Sequence, residues 1–91
     1  MIRGKQRYEI EVLFEKEFAN TASETRWHPT QQEQWGDDGR VTLKFSIDGL
    51  DEIVWWVLGY GPGATVIGPP ELRKRVHSLA SETVRRYAKK K

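Results

Sequence analysis

Between residues 48 and 75 the chain reads DGLDEIVWWVLGYGPGATVIGPPELRKR, and its hydrophobic pattern changes character twice within that span. The order is helix, turn, strand and the start of a second helix. A chain that alternates in this way has to stack helices on a sheet. At about 100° per residue, Leu50, Ile53, Val54, Val57 and Leu58 fall on one arc, with Tyr60 at its edge. Trp56 lies on the flank, within reach of Tyr60 one turn later, and Trp55 lies well outside the arc. Small domains normally bury their large aromatics. A tryptophan pair that overflows the core stripe therefore predicts that something covers it.

The rest of the chain supplies the remaining layers. Residues 8–14 alternate, with Tyr8, Ile10, Val12 and Phe14 apolar against Glu9 and Glu11, so a half-buried strand is predicted, with Leu13 an apolar intruder on its polar face. Residues 16–25 space Phe18, Ala19 and Ala22 for a short helix. Pro29 lacks an amide proton, so residues 26–35 are expected to form an edge strand or an extended arm. Gly36, Asp37, Asp38 and Gly39 suit a hairpin turn. Residues 40–47 alternate cleanly, with Val41, Leu43, Phe45 and Ile47 on one face. Asp48 is expected to cap the next helix, with Asp51 and Glu52 in its first turn and Gly61 and Pro62 at its end. Residues 64–68 read as a short buried strand. Pro70 and Glu71 open a last helix whose stripe is Leu72, Val76, Leu79, Ala80, Thr83 and Tyr87, with Glu82 able to pair with Arg85 and Arg86.

Strand, helix, strand, strand, helix, strand, helix is the α+β order of a ferredoxin-like βαββαβ sandwich with an additional C-terminal helix. That fold makes the first and third strands central neighbours. It would set Glu9, Glu11 and Glu15 across from Arg40 and Lys44, pairing opposite signs.

Composition excludes several function classes. With 91 residues, 37% hydrophobic and 31% charged, one domain with a modest core is expected. We assign residues 1–7 to a linker, 8–87 to the domain and 88–91 to a basic tail. No apolar run approaches the roughly 20 residues of a membrane helix, and the N-terminus does not resemble a signal peptide, so a cytoplasmic protein without membrane contact is expected. Without cysteine there is no disulfide, thiolate catalysis or cysteine-bound zinc. His28 and His77 are the only histidines and are not paired at helical spacing. The carboxylates lie where a strand's solvent face or a helix N-terminus accounts for them, and Gly59 to Gly63 lack the Lys-Ser/Thr of a phosphate loop. No enzymatic activity, metal or cofactor is expected.

The net charge is +2, and the basic excess gathers at the ends, in Arg3, Lys5 and Arg7 and in Arg85, Arg86, Lys89, Lys90 and Lys91. An RNA-binding sheet of this order would display aromatics on its central strands, whereas the outward residues here are Glu, Leu, Thr and Lys. No two adjacent helices share the short turn of a helix-turn-helix. Arg26, Trp27, His28 and Pro29 place a cation, an indole and an imidazole on a stiff segment. Trp27 serves there either as cover for the core rim or, with Arg26, as a contact anchor. Trp55 points away from the expected core and suits a subunit contact.

Several pieces in order, Arg26-Trp27-His28-Pro29-Thr30-Gln31, Asp38-Gly39, Leu50-Asp51-Glu52, Trp56-Val57-Leu58-Gly59-Tyr60-Gly61-Pro62 and Pro69-Pro70-Glu71-Leu72-Arg73, closely resemble the C-terminal extension (WCX) domain of WYL-domain transcriptional regulators. The resemblance spans residues 8–87, and Trp55 stands where that pattern has a charged or polar residue. It implies a bacterial DNA-binding regulator with a winged helix-turn-helix and a WYL domain preceding this one. It further implies that this domain dimerises and supports effector sensing, touching DNA only indirectly through the others. On that reading the partner interface is Arg26, Trp27, His28, Trp55, Trp56 and Tyr60, used for a homodimer or a neighbouring WYL domain. Two alternatives stay open: nucleic-acid contact through Arg73, Lys74, Arg85 and Lys89, and a small-molecule-sensing ferredoxin-like domain.

Overall fold

A computed structural model describes residues 7–88 of the chain. Strand β1 (Tyr8–Phe14) leads into helix α1 (Lys16–Glu24), and a loop leads on to strands β2 (Gln32–Trp35) and β3 (Val41–Ile47). Helix α2 (Ile53–Leu58), strand β4 (Ala64–Gly68) and helix α3 (Pro70–Ala88) follow. The chain is thus α+β, with one four-stranded sheet in the order β2-β3-β1-β4 and antiparallel at every junction.

β1 and β3 are central neighbours, as expected. Glu11 lies across from Lys44 and Glu9 across from Ser46, whose hydroxyl donates to the Glu9 carboxylate at 2.8 Å. Because side chains alternate, the same register turns Ile10, Val12 and Phe14 toward the helices together with Val41, Leu43 and Phe45. All six are buried. Ala19 and Ala22 of α1, Leu50, Ile53, Val54 and Val57 around α2, Val66 and Leu72 complete the core.

The turn between β2 and β3 forms as its residues demand. Gly39 holds a φ of +90°, which an L side chain resists, and the Arg40 amide and guanidinium both bond the Asp38 carboxylate, keeping it below its ordinary pKa.

Several expectations need correction. Asp48 does not cap α2: it pairs with Arg7 at 3.0 Å, residues 50–52 form a turn, and the helix begins at Ile53 after Glu52, with no side-chain cap. Asp51, freed from the first turn, instead reaches Arg75 of α3 at 2.8 Å. The helix also ends sooner than Gly61: Gly59 is its C-cap, and residues Gly61–Gly63 form a separate turn of 3₁₀ helix. β4 is an edge strand with only Val66 buried and Ile67 47% exposed, because nothing flanks it on the side away from β1 among the described residues. In α3 the expected stripe is buried only at its start, at Leu72. Val76, Leu79 and Ala80 are half-buried, and Thr83 and Tyr87 lie in solvent because the helix runs on past the core. Glu82 pairs with Arg86 at 3.1 Å and not with Arg85.

Gly63 is required by packing. A Cβ built there would overlap the Phe18 ring, and the Gly63 carbonyl accepts the Glu15 amide at 2.9 Å, fixing the start of α1 against this turn. Gly63→Ala is expected to lower the unfolding free energy by about 1–3 kcal/mol, read by urea denaturation.

Candidate partner interface

The short helix α2 sorts its residues by angle. Ile53, Val54 and Val57 face the sheet, Trp56 faces Phe14 at the end of β1 and the loop before β2, and Trp55 points outward. Successive residues differ by about 100°, which leaves Trp56 half-buried at the edge of the core and Trp55 exposed.

Trp56 joins an aromatic cluster that closes one end of the core. Its ring centroid lies 5.2 Å from Phe14, 5.4 Å from Trp27 and 5.7 Å from Tyr60, all in tilted or edge-on geometry. Tyr60 also packs edge-on against Phe14 and Phe18. Burial, with a smaller contribution from the Glu24 carboxylate, raises the pKa of the Tyr60 phenol above its ordinary value. Trp27 stacks on Phe45 with an 8° interplanar angle. These contacts are of the kind that hold aromatic cores together. Of the six expected interface residues, Trp27, Trp56 and Tyr60 are therefore brought together as core cover.

The loop carrying Trp27 is pinned by Gln31, the last residue of the run 26–31, whose burial the sequence pattern does not predict. Gln31 is buried (8% exposed) within an otherwise exposed polar run. Its side-chain carbonyl accepts the Trp27 amide at 2.9 Å, and its NH₂ donates to the Thr25 carbonyl at 2.8 Å. A glutamine in a polar stretch carries no periodic signal of burial. The available hints were its place in the run 26–31 and its position two residues after Pro29, where a non-repetitive loop needs side chains to satisfy its backbone. The Trp27 indole Nε1 is buried without a partner among the described residues, beside a cleft of about 370 Å³ that Ile47, Asp48, Gly49 and Glu52 also line.

Arg26, His28 and Trp55 stay available at the surface. Arg26 is exposed, with a long contact of 3.5 Å to the Gln31 carbonyl. His28 is half-exposed, and its Nδ1 accepts the Thr30 amide at 3.2 Å. The Trp55 side chain is 62% exposed on the outer face of the helix layer. No ring contact ties it to the cluster.

The residues of the nucleic-acid alternative also separate. Arg73, Lys74 and Arg85 come together along a groove between α3 and β4, whereas Lys89 lies outside the described residues. The open face of the sheet carries Glu9, Glu11, Leu13, Thr42, Lys44 and Ser46 on its central strands and no aromatic among them. His77 sits exposed on the groove, remote in sequence from His28. Among the described residues no group of three or more His, Asp or Glu could hold a metal, and no helix is long and apolar enough to cross a membrane.

A family model described as the WCX domain matches residues 6–84, most of the chain. No curated protein matches the chain.

Proposed function

Because the chain belongs to the WCX-domain family, the C-terminal extension of WYL-type transcriptional regulators, we propose that it serves such a regulator as a non-enzymatic association module. It pairs with a second copy of itself through the outer face of α2 around Trp55. The observation that supports this most is the exposure of that indole, 62%, on a helix whose other tryptophan is taken up by the core. Arg26 and His28, on the neighbouring loop, supply polar contacts at the margin, the usual arrangement around an aromatic anchor. The WYL domain and the winged helix-turn-helix would stand before this domain in the full regulator, carry the DNA contact, and share its cytoplasmic location. The sheet order, with β1 and β3 at its centre and antiparallel pairing throughout, supports classing the fold as ferredoxin-like.

Sedimentation of the wild type and of Trp55→Glu tests the proposal. A buried tryptophan anchor is worth about 2 kcal/mol or more, and a two-fold interface loses it twice, so the variant's dimer constant is expected to weaken by about three orders of magnitude. Wild type that sediments as a monomer at every concentration would overturn it.

A further inference from the structure

β4 is an edge strand, and the groove beside it is chemically one-sided. An open, shallow groove of about 1110 Å³ runs between β4 and α3, with Val66, Val76 and Ala80 among its apolar residues. Every charged residue that lines it is basic: Arg73, Lys74 and Arg85. None of the three has a carboxylate within salt-bridge distance among the described residues, although Arg75 and Arg86 on the same helix are each paired. Unneutralised cations around an apolar floor call for an anionic, partly apolar occupant.

The strand narrows the choice further. Val12 faces Val66 and Glu11 faces Gly68, so Ile67 is the extra residue of a bulge, and Ala64, Thr65 and Val66 form the regular part of the edge. Alternate backbone amides and carbonyls along that part face away from β1, and no other backbone group among the described residues bonds them. Such an edge recruits an extended chain by main-chain hydrogen bonding, with side chains read by the adjoining groove.

We infer that the groove between β4 and α3 binds an acidic, extended peptide segment of another protein, which adds as a strand to Ala64–Val66 while its carboxylates meet Arg73, Lys74 and Arg85. A second copy of this chain fits poorly, because pairing β4 with β4 would bring two basic rims together. Single-stranded nucleic acid would satisfy the cations, but no Phe, Tyr or Trp lines the groove, leaving the His77 imidazole alone for bases to stack on, and it makes no use of the strand edge.

The test is fluorescence anisotropy with three probes: the labelled peptide EVEVEV, the same peptide N-methylated at alternate amides, and a deoxythymidine oligonucleotide of matched charge. EVEVEV is expected to bind the wild type saturably and at least about tenfold more weakly to Arg73→Glu/Lys74→Glu, whose positions are exposed and outside the core. N-methylation, which removes main-chain donors, is expected to weaken binding by a similar factor. Trp55→Glu leaves this binding unchanged, so its failure is separable from failure of the dimer. Equal binding of the N-methylated peptide, tighter binding of the oligonucleotide, or no saturable binding of EVEVEV would each overturn the inference.

Discussion

Trp56→Ala is expected to lower the unfolding free energy by about 3 kcal/mol, and Trp55→Ala, one residue away, by less than about 0.5 kcal/mol. The contrast follows from the contacts. Trp56 touches Phe14, Trp27 and Tyr60, so its removal leaves a void that three aromatic rings line and cannot close. Trp55 packs against none of them and is 62% exposed, so its loss leaves no cavity. In a domain of this size, 3 kcal/mol corresponds to a fall in melting temperature of roughly 12–24 °C. Thermal unfolding followed at 222 nm, at low protein concentration, reads both variants. Equal destabilisation by the two substitutions would contradict the division of roles between them.

Gln31→Ala is expected to cost about 2–3 kcal/mol, more than its place in a polar stretch suggests. The substitution removes the acceptor for the Trp27 amide and the donor for the Thr25 carbonyl, and each group it orphans belongs to a half-buried residue. Gln31→Glu separates the two bonds, since the carboxylate can still accept from Trp27 but cannot donate to Thr25. Its cost is expected to be no smaller than that of alanine, because it also brings a charge to a site that is only 8% exposed. Urea denaturation measures both. A cost below about 0.5 kcal/mol for Gln31→Ala would show that water replaces the amide and that the loop does not depend on it.

The parts of the fold that could be read in advance are those where hydrophobic period and burial agree. β1 and β3 alternate, with Leu13 the one exception, so their inward faces and their place as central neighbours follow from the pattern, whereas the register that sets Glu11 across from Lys44 comes from the structure. α3 shows the limit of such patterns. Its apolar stripe continues to Tyr87, but the sheet and α2 end near Leu79, and periodicity cannot report where the opposing surface stops. The start of α2 escaped for a different reason: Asp48 has the chemistry of a cap, and a distant arginine, Arg7, competes for its carboxylate. At the candidate interface, helical angle was enough to separate Trp55 from Trp56. What it could not supply was the loop. Trp27 is drawn into the core by Phe45 and Trp56, residues far from it in sequence, and Gln31, four residues on, holds it there through a side-chain bond that periodicity does not report. The basic groove was half visible in Arg73, Lys74 and Arg85, but its apolar floor and free strand edge exist only once α3 lies beside β4.

The dependence of melting temperature on protein concentration tests the association through Trp55 most directly. Dimerisation stabilises the folded state by mass action, so over a hundredfold rise in concentration the wild type is expected to gain roughly 5 °C or more. Trp55→Ala is expected to melt at one temperature throughout, equal to that of the wild type at the lowest concentration. A wild-type melting temperature independent of concentration, or a Trp55→Ala variant that gains as much as the wild type, would contradict the account.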